Sequence, residues 1–392
     1  LLSGGNAMSI QSLHGDISYY QVTESLNEQL QSIKGRMQAH LPELDRVSFA
    51  LFDEQKNMLK TYADSAFWNL RQAHNEASMK ELPALTRSAL QRQNRIIDDL
   101  TKLPSTTYID MLLEHGYRSS AAIPCYDNEE FRGFIFLNSR SVNVFSEYVI
   151  ETLDPYLNMI KFCVMSENQI VHRIIDAARD IIEKTNLCMK DSAAHKERIG
   201  YYTRLIASHI AGEHDFDDET VEHLSLFAQF HDLGKVRLPE HLVCKHDVLE
   251  GDELKQVHGY VQHGMDIVDE ILENLGYPQH PSIVLLTDIM AYHQEYLDGS
   301  GYPNGLSGAQ IPISARIVAV ANVFDALTAH RPYRQAWSIP HAMLEMEKMV
   351  NLGKLDRQCV NALREYQSEI SAEREQYPEC DPKDDEYQLN ML

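Results

Sequence analysis

A chain of 392 residues, 44% hydrophobic and 24% charged, is long for one core and ordinary for a soluble protein of two domains. Its formal charge of −23 repels long nucleic acids and anionic membranes, so a polymer or membrane partner is excluded and a small anionic ligand needs a local cluster of cations. No run of about 18 apolar residues and no signal-peptide pattern is present, which removes a transmembrane or secreted reading.

Leu1 to Ala7, ahead of Met8, read as a cloning remnant and are set apart from the fold. From Glu24 to Tyr148 helix and strand patterns mix. Arg46-Val-Ser-Phe-Ala-Leu-Phe52 alternates and then meets the polar turn that starts at Asp53. Leu82 to Gln93 has helical periodicity and is followed by Ile96-Ile-Asp-Asp-Leu100. Arg118 to Cys125 and Phe131 to Asn138 are apolar strands flanking the turn Tyr126 to Glu130. The pattern predicts an α+β domain with an antiparallel sheet over 8–160.

A helix is expected next, from about Tyr156 to Lys184, within a connecting segment 156–190. Leu153, Leu157, Ile160, Val164, Val171, Ile174, Ala178 and Ile181 recur at coiled-coil spacing, broken only at Glu167, and Pro155 kinks or starts the helix. Such a seam pairs two chains into a homodimer or docks on its own domain. Beyond Asp191 the pattern is almost wholly helical: Ile199 to Ile210, Val221 to His231, Leu254 to Leu275, Ile283 to His293, Ala315 to Thr328 and His341 to Val350. This predicts an all-α bundle over 191–370. The acidic stretch Glu373 to Glu386 reads as a solvated tail, 371–392. Six scattered cysteines (Cys125, Cys163, Cys188, Cys244, Cys359, Cys380) with no CxxC pair suit free thiols in a reducing cytoplasm.

One histidine on an apolar helix is usually core. Here His195, His231, Asp232, His263 and His293 all lie in or beside helices that a bundle can converge on one point. The Asp232 carboxylate has two oxygens and can bridge two ions; N/O ligation of this type suits iron, manganese or zinc. Downstream, His293-Gln-Glu-Tyr-Leu-Asp-Gly-Ser-Gly-Tyr302-Pro303-Asn-Gly305 is a glycine-rich loop whose backbone can approach an anionic substrate. Together these point to metal-assisted phosphodiester chemistry.

The N-terminal segment resembles a GAF domain. The resemblance is carried by the Ile96-Ile-Asp-Asp-Leu100 run, by Gly116-Tyr-Arg-Ser-Ser-Ala-Ala-Ile-Pro-Cys125, and by Gly133-Phe-Ile-Phe-Leu-Asn-Ser139 leading to Phe145. It implies a sensory domain with an unknown ligand, or a spacer or dimerisation module; no Cys–His arrangement indicates haem or a bilin. The C-terminal half, roughly 165–365, resembles the HD-GYP family of metal-dependent phosphohydrolases. The residues concerned are His231-Asp-Leu-Gly-Lys235, Val261-Gln-His263-Gly, His293 to Pro303, Ile311-Pro-Ile-Ser-Ala-Arg-Ile-Val-Ala-Val320 and Asp325-Ala-Leu-Thr-Ala-His-Arg-Pro-Tyr-Arg334.

That resemblance implies hydrolysis of cyclic di-GMP, or of the mixed cyclic GMP-AMP dinucleotide, on two divalent ions, iron or manganese, with a third as a variant. Carried over by position, Asp232 bridges the ions, His195 and His231 complete one shell, and His263 and His293 bind the other. Asp191 stands where some members place a third-metal glutamate. Lys235, Arg331 and Arg334 stand where the family contacts phosphate, and Gly299, Gly301, Tyr302 and Pro303 shape the substrate loop. Two positions depart from the family: Gln294 replaces a histidine and Asn322 an aspartate, leaving neutral amide oxygens as ligands. The expected function is therefore GAF-regulated cyclic-dinucleotide hydrolysis. The alternative is a catalytically impaired receptor or scaffold.

Overall fold

The computed structural model describes residues 25–54, 56–66, 76–185, 193–243, 251–276, 280–329 and 336–376. The first helix, α1 (Leu26–Met37), starts at a capping box in which Ser25 and Glu28 each satisfy the other's backbone N–H. The strands β1 (Arg46–Asp53), β2 (Met58–Asp64), β3 (Glu76–Ser78), β4 (Arg95–Ile97), β5 (Ser119–Asp127) and β6 (Glu130–Ser139) form one antiparallel sheet in the order β3-β2-β1-β6-β5-β4. Asn128 and Glu129, both at positive φ, close the β5–β6 hairpin; a two-residue turn of that hand matches the twist of its strands.

Alternation along β6 divides the sheet. Ile135 and Leu137 face a core shared with Leu30 and Ile33 of α1, while Phe134 and Phe136 face the other side, with Leu85 of α2 (Pro83–Gln91). A third helix, α3 (Thr107–Glu114), packs with the segment after β4. This is the expected α+β architecture.

The connecting helix α4 (Glu147–Glu183) runs 37 residues from an N-cap at Ser146, whose hydroxyl accepts the Val149 N–H. It starts earlier than the predicted Tyr156, and Pro155 lies inside it. Ser146 is the stronger start signal. The seam is also used differently from a pairing surface. Ile150, Leu153, Leu157, Ile160 and Val164 are buried against the sheet, and Val171, Ile174, Ile175 and Ala178 are buried in the helical core. These seam residues are therefore buried within their own chain.

The helical half contains α5 (Ala193–His214), α6 (Asp218–Ala228), α7 (Glu240–Val243), α8 (Asp252–His258), α9 (Tyr260–Asn274), α10 (Pro281–Tyr292), α11 (Ile313–Thr328), α12 (Ile339–Asn351), α13 (Arg357–Glu365) and α14 (Gln367–Gln376). Two predicted spans are corrected. Leu254 to Leu275 is two helices meeting at Gly259, where glycine weakens helix propagation. His231 lies beyond the end of α6, in the turn that follows it.

The two halves touch directly. Asn27 Nδ2 donates to Asp217 (2.9 Å), Lys60 pairs with Glu222 (3.4 Å), and the Tyr62 hydroxyl meets His223 Nε2 (2.9 Å). Among the described residues no helix is long and apolar enough to cross a membrane. Cys125, Cys163 and Cys359 are free thiols, and burial pushes the Cys125 thiol up to about 12. Cys188, Cys244 and Cys380 lie outside the described residues.

Candidate metal centre

His231 and Asp232 sit in the turn leading from α6 into a short 3-10 segment, Leu233–Arg237. Gly234 lets that segment lie flat on α9: a Cβ there would stand 1.9 Å from the Tyr260 carbonyl oxygen and 2.4 Å from the Gly264 nitrogen. The close approach fixes Asp232 beside the helix that carries Tyr260 and His263. From the other sides, α5 supplies His195 and the C-terminal end of α10 supplies His293.

His195, His231 and Asp232 are buried and bring their ligand atoms within 4.8 Å of one another. Asp232 Oδ2 lies 3.1 Å from His231 Nε2, and Oδ1 lies 3.7 Å from His293 Nε2. The ring protons are placed by the neighbours. His231 Nδ1 donates to the Ala228 carbonyl (2.8 Å) and His293 Nδ1 to the Ile289 carbonyl (2.8 Å). His195 Nδ1 donates to Asp325 Oδ2 (2.7 Å), and Asp325 also accepts from Arg198 Nε (2.6 Å). A carbonyl or ionised carboxylate only accepts, so each ring carries its proton on Nδ1 and its lone pair on Nε2. That is the tautomer a metal ligand needs, fixed by an outer partner.

Charge is arranged to the same end. Burial by itself would raise the Asp232 carboxyl, but the positive charge beside it, with the Lys235 ammonium 2.5 Å from Oδ2, holds it well below the usual carboxylate range. Burial also lowers His293, keeping it neutral. Asp325 is likewise held low: burial opposes its charge, and His195 and Arg198 outweigh burial. Asp232 Oδ1 is buried with no hydrogen-bond partner. An orphaned acceptor facing imidazole lone pairs fits a divalent cation, and these residues therefore suit the metal that the motif implies.

The remaining candidates are less convergent. His263 sits one turn beyond Tyr260 on α9, half-buried, with its buried Nδ1 lacking a hydrogen-bond partner, and it stands outside the tight cluster. Gln294 turns its amide to the Tyr260 hydroxyl (2.9 Å), which in turn donates to His293 Nε2 (2.8 Å). The lone pair of His293 is thus already engaged. Asn322 is half-buried on α11, one turn before Asp325. Asp191, Arg331 and Arg334 lie outside the described residues.

The glycine-rich loop is built on Glu295. Its buried carboxylate accepts the Asn304 N–H (2.7 Å) and the Leu306 N–H (3.0 Å). Gly301 crosses the Gln294–Tyr296 backbone so closely that a Cβ would stand 2.4 Å from the Tyr296 nitrogen. Gly299 has φ +80°, the Tyr302–Pro303 peptide is cis, and the Tyr302 ring stacks on His258 at 3.8 Å. The Tyr302 N–H donates to the Gln294 carbonyl (3.2 Å), joining the loop to the metal-ligand segment.

Sequence reasoning missed Asp325, Arg198, Tyr260 and Glu295. Asp325 and Glu295 lie inside the motif runs quoted above without a role assigned to them, and Tyr260 carried one weak signal, standing three residues from His263 on a shared helix face.

Fold and site define a class. Residues 175–359 match the family model described as HD domain, and that span contains the His231-Asp232 pair. The same half is similar to curated proteins. The chain is 35% identical over 173 residues to the cyclic di-GMP phosphodiesterase response regulator RpfG of Xanthomonas campestris pv. campestris, covering 44% of this chain and 42% of that one. It is 32% identical over 191 residues to the 3'3'-cGAMP-specific phosphodiesterase 2 of Vibrio cholerae (48% and 34%), and 33% identical over 178 residues to the cyclic di-GMP phosphodiesterase of Thermotoga maritima (45% of each). The chain thus spans less than half the length of these relatives. Among solved structures, the GAF domain region of a membrane protein of Geobacter sulfurreducens covers 36% of this chain and 93% of its own, at a TM-score of 0.30 and 18% identity.

Proposed function

We propose that this protein hydrolyses a cyclic dinucleotide, cyclic di-GMP foremost, to the linear dinucleotide, under control of a GAF-like N-terminal domain in a bacterial, cytoplasmic signalling pathway. The observation that carries the proposal is the convergence of His195, His231 and Asp232, with the imidazole lone pairs set by their outer partners. His293 and His263 extend the set to a second ion. The names of the relatives support the substrate class, with cyclic GMP-AMP as the competing substrate.

Two divalent ions in such a centre lower the pKa of a bound water and absorb charge developing on phosphorus oxygens. This chain's own part is to hold and orient. Asp232, His195 and His231 would hold the metal, and Asp325 keeps His195 in its binding tautomer. Lys235, together with Arg331 and Arg334, supplies positive charge for the phosphates in an otherwise acidic protein. The Gly299–Pro303 loop, held by Glu295, closes the substrate side.

The test is product analysis on the whole chain loaded with manganese or iron. Cyclic di-GMP is expected to give the linear dinucleotide, chelator treatment to stop the reaction, and added manganese to restore it. Asp232→Asn is expected to lower kcat/KM by about 100-fold or more. No turnover with either cyclic dinucleotide under full metal loading would overturn the proposal. A second reading, a receptor that binds without turnover, is favoured by the Gln294–Tyr260–His293 relay, which engages one ligand. Calorimetric binding of cyclic di-GMP without product would select it.

A further inference from the structure

A second group of candidate ligands lies about the junction of the two halves, apart from the HD centre. Glu167 of α4, Glu219 in the first turn of α6 and His280 at the start of α10 are 5%, 7% and 6% exposed, and each offers a ligand atom within 4.8 Å of the others. Glu167 Oε1 accepts from Gln29 Nε2 (2.8 Å), while its Oε2 is buried with no hydrogen-bond partner; His280 Nε2 is buried in the same condition. Glu219 Oε2 accepts the Leu26 N–H at the head of α1, at 3.4 Å. Among the described residues no lysine or arginine pairs with Glu167, Glu219 or the neighbouring Asp217.

Two carboxylates removed from water without a cationic partner are unfavourable unless a cation or a proton joins them. Two oxygens and one imidazole nitrogen match the donor preference of a divalent first-row ion. We propose that Glu167, Glu219 and His280 hold a second, structural divalent ion, manganese, iron or zinc, between the connecting helix, the HD domain and the N-terminal domain. Its ligands come from three helices of the chain, and Gln29 and Leu26 of α1 support two of them, so the ion ties the N-terminal domain to the HD helices. His280 Nδ1 now accepts the Ser282 N–H at 3.2 Å. Coordination through Nε2 moves the ring proton to Nδ1 and replaces that cap by the bond to the ion.

Elemental analysis of the whole chain, purified without chelator, tests the proposal independently of any turnover. In a His231→Ala/Asp232→Asn background, which disables the HD centre, adding Glu167→Gln/Glu219→Gln is expected to remove about one further ion per chain. An unchanged ion count overturns the proposal and leaves a shared proton joining the two acids. Should the combined variant fail to fold, the melting temperature of the His231→Ala/Asp232→Asn protein is read with and without manganese. A rise supports the ion, and a melting temperature indifferent to manganese overturns it. Absence of cyclic-dinucleotide hydrolysis in the native protein affects only the function proposed above.

Discussion

Asp325 shows how one residue outside the ligand set governs it. Its carboxylate accepts the hydrogen bond of His195 Nδ1–H and is held ionised with the help of Arg198. An amide in its place keeps an acceptor oxygen but loses the charge. Asp325→Asn is therefore expected to weaken manganese binding by about 10- to 100-fold, read by calorimetric titration, with His231 and Asp232 still in place. Gln294 has a separate effect. It was expected as a neutral ligand, yet its amide donates to Tyr260, and Tyr260 engages His293. Tyr260→Phe releases the His293 lone pair, so it is expected to raise manganese affinity in the same titration. An unchanged or lower affinity would show that the relay does not compete with the ion.

At the scale of elements, the contact between the Leu233–Arg237 segment and α9 sets the centre. The two backbones approach because neither Gly234 nor Gly264 has a side chain to separate them. Gly234→Ala places a methyl group inside the contact distance of the Tyr260 carbonyl, and a rigid backbone atom cannot rotate away. The substitution is expected to cost about 3 kcal/mol in denaturant unfolding and to lower metal affinity with it, since Asp232 moves with the segment. The long helix α4 follows the same logic at larger size. Its apolar stripe, at coiled-coil spacing, is shared between two cores of the same chain. Tyr148, Met159 and Phe162 remain exposed along α4, at 77%, 40% and 73%.

For the whole molecule, continuity of α4 has a thermodynamic consequence. Ile160 and Val164 close the sheet core, and Val171 and Ile174 close the helical core about two to four turns later. Unfolding either half exposes one end of a helix needed by the other, and the contacts of Asn27, Tyr62 and Lys60 with the helices of the second half are lost together. Calorimetry is expected to record one cooperative transition for the full chain; two well-separated transitions would show that the halves are energetically independent.

Much of this was legible because period and chemistry coincide. The alternation of Arg46–Phe52 and of Phe131–Asn138 specified half-buried strands, and the spacing of apolar residues specified the helices of the second half. His231-Asp232 and the Gly-Tyr-Pro loop announced metal and phosphate chemistry through residue type alone. Local pattern cannot state which partner a stripe meets. The connecting seam is therefore open between pairing and docking in the sequence, and the Ser146 cap sets the helix start ahead of Tyr156. The same limit hid Asp325, Tyr260 and the Glu167–Glu219–His280 group, whose members lie far apart in the chain and carry no shared motif. Sequence by itself determined the elements and the chemical vocabulary of the centre. Only the tertiary structure decided which protons sit on which ring nitrogens and which buried carboxylates lack a counter-charge, because hydrogen-bond partners and desolvation are properties of neighbours brought together by packing.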